Sequence, residues 1–212
     1  MRAREQRRSV TPWLIGLGAA GALAYALTRP KVVGQITKVV DAINPSLLRR
    51  YLAMRPDIRA AAAEAGIPPE ILAGTVRVES SYRNDGPIAK ECTGIPCICS
   101  RVRAIGVAQI LRATAAQVGY TGTEVGLCDV KANLKYSARY LKWLSEQLAD
   151  PKKRQAGDDL WTAVHKAYNL GIGNYLRGRT YSGTDRYAAK AEATEDSLKQ
   201  KGLAGLTFAL AT

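Results

Sequence analysis

Residues 69–84 read PEILAGTVRVESSYRN. The run opens on a proline, which is tolerated in the first turn of a helix because its missing N–H would have no partner there anyway. Ile71, Leu72, Thr75 and Val76 then recur at the spacing that turns them to one side of a helix over 69–81. Glu79 continues that side. A carboxylate partly withdrawn from water has its charged form penalised, so its pKa rises toward the range where it can donate a proton. Glu79 is therefore a candidate general acid; taken alone, a paired carboxylate at a helix rim is the competing reading.

Outward from this helix, periodicity predicts further helices at 47–65 (kinked or broken at Pro56), 112–118, 129–149, 158–170, 173–180 and 184–200, and almost nothing reads as a strand. The clearest is 129–149: Asp129 can cap it, Val130, Leu134, Ala138, Leu141, Leu144 and Leu148 form one stripe, and Lys131, Lys135, Arg139 and Lys142 face water. Asp158 or Asp159 starts the next, whose Leu160, Trp161, Val164 and Tyr168 share a face. His165, the one histidine, lies on it without a motif and reads as structural; a Ser-His-Asp or Cys-His site would have to be built around it, and nothing nearby suggests one. The fold class expected is mainly α.

The chain has 212 residues, 31 of them basic and 18 acidic, for a net charge of +13. Without the four arginines and Glu5 of the first eleven residues, 27 basic against 17 acidic residues remain, so the surplus belongs to the main domain. Such a charge favours anionic partners without choosing among them. No helix-turn-helix punctuation, zinc-finger spacing or basic run interleaved with aromatics is present, so a nucleic-acid partner is not expected. The basic start, 1–11, leads into 12–28, where Trp13 to Leu27 carries no charge. At about 22 Å that stretch is short against the roughly 30 Å hydrocarbon core, and it reads as a transmembrane anchor or as a secretory signal with small residues at Ala22-x-Ala24 or Ala24-x-Ala26. Either one exports the remainder. Residues 29–46 read as a linker, 47–181 as the folded domain, and 182–212 as a C-terminal helix with an apolar tail, GLAGLTFALAT.

Four cysteines, Cys92, Cys97, Cys99 and Cys128, remain, three of them within CTGIPCIC. They are disulfide candidates for an oxidising compartment, with three pairings open. Zinc is the rival, but Cys-x4-Cys-x-Cys is not a standard zinc spacing and no histidine is near, so no metal or cofactor is expected. The surrounding region, 83–105, has no periodicity and reads as a long loop, a class that is usually functional or disordered when it sits inside a domain.

Cleaving a glycosidic bond requires a proton for the leaving oxygen and a way to carry positive charge at the sugar carbon, and two carboxylates are the usual means. Only Glu79 has a convincing helical setting; Asp85 and Glu91 lie in the loop, and Asp85 is the better candidate for a second carboxylate. One carboxylate suffices when the substrate supplies its own nucleophile through an N-acetyl group and an internal hydroxyl completes the reaction.

Residues 66–176 resemble the goose-lysozyme-like domain of soluble-type lytic transglycosylases. The likeness is carried by Glu79-Ser80 at a helix end, by Gly106-Val107-Ala108-Gln109-Ile110 followed by Ala113-Thr114-Ala115, by the Asn133 to Leu144 helix, and by Ala167-Tyr168-Asn169-Leu170-Gly171-Ile172-Gly173, in the family's order. The resemblance implies that Glu79 is acid and then base, that Gln109 lines a saccharide groove, and that Tyr168 lies by the catalytic carboxyl with Asn169 in the same motif. Ser80, and Ser100 six residues before Gly106, complete the candidate substrate-binding set. The chain departs from the family in a longer Glu79 to Gln109 separation, which marks the cysteine loop as an insertion, in Val107-Ala108 for the common Leu-Met, and in Arg112 where proline is usual.

The resemblance further implies a lysozyme-like domain cleaving the MurNAc–GlcNAc β-1,4 bond of peptidoglycan glycan strands and leaving 1,6-anhydromuramyl ends. The expected setting is the bacterial inner membrane, with the catalytic domain in the periplasm or outside, or a virus particle, where local wall opening serves a larger secretion or virion assembly. A hydrolytic muramidase and a non-catalytic wall-binding protein are the alternatives.

Overall fold

The computed structural model describes residues 45–181 and 183–200, which form seven α-helices and one small hairpin. The helices are α1 (Pro45–Ala65), α2 (Pro69–Glu79), α3 (Arg112–Gln117), α4 (Val130–Gln147), α5 (Leu160–Leu170), α6 (Ile172–Leu176) and α7 (Thr184–Gln200). The strands are β1 (Ala104–Ile105) and β2 (Ile110–Leu111), antiparallel, with Ala104 opposite Leu111 and Ile105 opposite Ile110. Among the described residues no helix is long and apolar enough to cross a membrane. The segments expected at 1–11 and 12–28, most of the linker and the apolar tail lie outside the described residues.

α2 is the axis of the domain. Ile71, Leu72, Ala73, Gly74, Thr75 and Val76 are all buried, so this helix is enclosed on every side rather than amphipathic. It packs chiefly against α7 and also against α4, while α5 packs against α4, α6 and α7. Gly74 permits the close crossing with α7: a side chain there would begin 2.9 Å from the Ala191 carbonyl oxygen. α7, which the sequence reading sets outside the folded domain, is thus seated on its central helix, and the described residues from Ser46 onward form one compact unit.

The remaining helices follow their sequence signals within a few residues. α4 starts where the Asp129 side chain accepts from the Ala132 N–H at 2.8 Å, and Leu134, Ala138, Leu141, Leu144 and Leu148 are fully buried along its stripe. Asp159 caps α5 in the same way through Thr162 N–H at 2.8 Å, which moves the start two residues past the expected 158. Of the kink or break expected at Pro56, the break does not occur, and α1 runs on through it. Proline's fixed φ is already helical, and what it removes is one N–H donor.

All four cysteines are in disulfides, Cys92–Cys99 and Cys97–Cys128, so none is left as a thiolate for zinc. Cys92, Cys97, Cys99 and Ile95 are buried in the same hydrophobic core as the helices. Cys97–Cys128 ties the loop to the segment leading into α4, closing 31 residues, while Cys92–Cys99 closes only 7. Chain entropy alone makes the longer closure worth about 3–4 kcal/mol and the shorter about 2 kcal/mol. Urea unfolding of Cys97→Ser/Cys128→Ser should accordingly show the larger loss; equal losses would mean that the unfolded loop is already ordered without the bridge.

Candidate active site

Glu79 is the last residue of α2, and the chain reverses immediately after it. Ser81 and Tyr82 both adopt left-handed backbone (φ 56° and 60°), an arrangement that non-glycine residues hold only when their surroundings enforce it. Several contacts enforce it here. The buried Tyr82 hydroxyl donates to the Ala73 carbonyl at 3.1 Å, its ring meets Tyr51 of α1 at 5.2 Å between centroids, and Arg50 of α1 donates to the Ser81 carbonyl at 3.0 Å. Ser80 is buried, and its hydroxyl donates to the Val76 carbonyl at 3.3 Å and accepts from the Arg83 N–H at 3.2 Å. It therefore builds the turn that presents Glu79.

The Glu79 residue is half-buried and its carboxyl is largely withdrawn from water; this desolvation pushes its pKa from the usual 4.5 up to about 7. The opposing influence is a single hydrogen bond: the Tyr187 hydroxyl, from the first turn of α7, donates to Glu79 Oε1 at 2.7 Å. Burial first, then the negative charge of Glu79, holds the Tyr187 hydroxyl well above its ordinary pKa, so it stays a donor. With Oε1 engaged, Oε2 is the oxygen that can carry a transferable proton.

Tyr168, on the last turn of α5, is half-buried, and its hydroxyl is driven upward in pKa by burial and next by the charge of Glu79, which places the two groups in one electrostatic neighbourhood. Its hydroxyl donates to the Ala108 carbonyl at 2.8 Å, and its ring packs on Tyr140 at 5.6 Å. Tyr168 thus joins α5 to the β1–β2 turn. That turn, Gly106 to Gln109, is closed by Gln109 N–H donating to Gly106 O at 3.0 Å.

The turn is held from beneath by Asn133 of α4, fully buried, whose amide donates to Ile105 O at 2.8 Å and Leu127 O at 2.9 Å and accepts from Ala108 N–H at 2.9 Å. Gly106 lies against that amide with φ 74°, and a side chain there would also begin 2.8 Å from Leu127 O, so glycine is required on both counts. Gln109 has a left-handed backbone, φ 49°, and its side-chain N–H donates to Gly106 O at 2.9 Å and Ile98 O at 3.3 Å. Its donors thus brace the turn.

The other candidates are more dispersed. Asn169 is exposed and accepts from Thr184 Oγ1 at 3.5 Å, at the start of α7. Ser100 is spent on the loop, where its hydroxyl accepts from Ala104 N–H at 3.1 Å. Asp85 is exposed on the loop, and among the described residues no carboxylate raises the Glu79 pKa. The structure therefore brings together Glu79, Tyr168 and Tyr187, with the hairpin turn against Tyr168. Tyr187 is the member that sequence reasoning missed. The available signal was a lone aromatic beside Ala188 and Ala191 in an otherwise polar helix, which marks close packing at that helix's start.

The Transglycosylase SLT domain family model matches residues 57–190. Among solved structures, the chain is similar to an inactive mutant of the lytic transglycosylase Slt from Pseudomonas aeruginosa, with 19% identity and a TM-score of 0.56, over 87% of this chain and 30% of that one. At that identity the likeness concerns the fold, and this chain accounts for under a third of the larger protein's length. No curated protein shows significant similarity to the chain.

Proposed function

The chain belongs to the transglycosylase SLT domain family, and on that premise we propose that it is a peptidoglycan lytic transglycosylase with Glu79 as its one acid and base. The observation that carries the reading is the desolvated Glu79 carboxyl, pushed up to about 7 by burial, with a tyrosine hydroxyl on one oxygen. Near neutral pH a useful fraction of Glu79 is protonated, while its conjugate base remains accessible, which is the condition for giving and retaking one proton.

In the first step Glu79 protonates the glycosidic oxygen as the C1–O4 bond of the MurNAc–GlcNAc linkage breaks. The N-acetyl carbonyl oxygen of the same sugar captures C1, standing in for a carboxylate nucleophile. In the second step the C6 hydroxyl attacks C1 as the bond from C1 to the N-acetyl oxygen breaks, the hydroxyl proton passes to Glu79, and a 1,6-anhydromuramyl end results without uptake of water. Tyr187 stabilises the ionised acid between the steps, and Tyr168 fixes the hairpin turn beside it. Gln109, Asn169 and Ser100 would line the saccharide path through the side-chain atoms that their contacts leave free, with Ser80 holding the turn.

We place the domain outside the cytoplasm, in keeping with its two disulfides and with a wall substrate. In this reading residues 12–28 serve as anchor or signal, and the cutting is local, in the service of a secretion machine or virus particle. The test is the product. Purified sacculi digested with the protein should yield muropeptides ending in anhydromuramic acid by mass spectrometry, lighter by one water than hydrolytic ends. Reducing ends alone would replace this reading with that of a muramidase.

A further inference from the structure

One helical turn before Glu79, an ionisable pair is buried that the cleavage reaction does not use. His165 of α5 is fully buried and Glu195 of α7 is 3% exposed, and His165 Nε2 lies 2.5 Å from Glu195 Oε1. The other ring nitrogen, Nδ1, is 3.5 Å from Thr75 Oγ1 of α2, a hydroxyl that donates to Ile71 O at 3.1 Å. Glu195 Oε1 also lies 3.2 Å from where a side chain at Gly74 would begin. Three helices therefore meet at one imidazole. Of the other charged groups, Lys199 reaches Glu195 Oε2 at 3.7 Å, while Lys166, beside His165 in sequence, is taken up by Asp158 and Asp185.

Burying such a pair gains little over apolar side chains of the same volume, and its best-attested use is to fix register. α7 has need of that. Tyr187, Ala188 and Ala191 are its buried apolar residues, and alanines against Gly74 form a smooth surface on which a helix can slide at small cost in packing. Glu195 is eight residues, about 12 Å, beyond Tyr187 on α7, and Thr75 is four residues, about 6 Å, before Glu79 on α2. The Tyr187–Glu79 bond and the His165 junction thus pin the same helix pair at two separate heights.

We propose that His165 is a positioning residue: by bonding Glu195 of α7 and lying against Thr75 of α2, it sets the axial register of the two helices and so keeps Tyr187 within hydrogen-bond reach of the Glu79 carboxyl. Its value to the reaction rests on the reading of Glu79 as the acid, but the register itself can be read without substrate.

The test is titration of the Glu79 side-chain carboxyl by carbon-13 NMR in folded protein. Tyr187→Phe removes the bond to the ionised form and should raise the Glu79 midpoint by about one pH unit. His165→Leu, which does not touch that carboxyl, should produce a rise of the same sign, and the Tyr187→Phe/His165→Leu double variant should rise no further than Tyr187→Phe alone. His165→Gln, which retains hydrogen-bonding capacity, should restore part of the wild-type midpoint. A folded His165→Leu protein that titrates Glu79 at the wild-type value overturns the proposal, as does a double variant whose shifts simply add. Should the leucine variant fail to fold, Glu195→Leu breaks the same junction from α7 and is held to the same outcomes. Loss of anhydro products from the wild type would instead count against the cleavage reading and leave this titration standing.

Discussion

Glu79→Gln should lower wall cleavage by roughly 10³–10⁴-fold or more, the upper range for a general acid, because the same group serves both steps. The fold should survive: glutamine is isosteric, and its carbonyl can still accept from the Tyr187 hydroxyl that now donates to Glu79 Oε1. The variant should in fact be the more stable protein at neutral pH and above. Burial raises the folded-state pKa of Glu79 from 4.5 to about 7, so the folded protein binds this proton more tightly than the unfolded chain does. The associated stability is complete below pH 4.5 and is lost as pH rises through about 7, whereas glutamine has no charge to bury. Thermal melts should therefore coincide for the two proteins near pH 4 and diverge by roughly 1–3 kcal/mol in favour of Glu79→Gln at pH 8. Wild-type cleavage should decline over the same alkaline limb as the acid loses its proton. A glutamine variant that lyses sacculi normally would remove Glu79 from the chemistry; one with no stability gain would mean that the carboxyl is better hydrated than its surroundings indicate.

Asn133→Ala should be the most damaging single change away from the acid. One buried amide makes three bonds, to Ile105 O, Leu127 O and Ala108 N–H, and all three partner residues are themselves buried. Truncation takes a partner from three buried groups, at about 1–3 kcal/mol each, or roughly 3–9 kcal/mol in all. That approaches the whole stability of many domains. The loss should not be only one of stability, because Ala108 also supplies the carbonyl to which Tyr168 donates. Denaturant unfolding should show the lowered midpoint, and the protein that remains folded should cleave more slowly than wild type. A loss below about 1 kcal/mol would show that the hairpin turn is held by its strand pairing instead.

Much of the architecture was legible because it is written locally. The stripe of α4, the caps Asp129 and Asp159 and the proline opening α2 each act within a few residues, so helix positions follow from them. The elevated pKa of Glu79 was legible for a related reason, since an acidic residue continuing an apolar face has few other environments available. What was not legible is tertiary. The Tyr187–Glu79 bond joins residues 108 apart, on a helix whose mostly polar composition signals close packing at its start but not which helix it packs on. The cysteine pairing was open for the same reason, since three connectivities satisfy one spacing. Gln109 and Ser100 were found by pattern, but their side chains brace the loop and hairpin, a use that motif order does not reveal.

The seating of α7 on α2 has a practical corollary. The exposed stretch around Arg177 to Tyr181 leads from α6 to α7, which reaches the middle of the molecule. A protease clipping there, or a gene trimmed to the last recognisable motif at Gly173, would spare every residue named by pattern and still strip the acid of its hydroxyl companion. Shortened versions should therefore end no earlier than Gln200, and any tag or fusion joined at that end should be judged first by whether the final helix still docks.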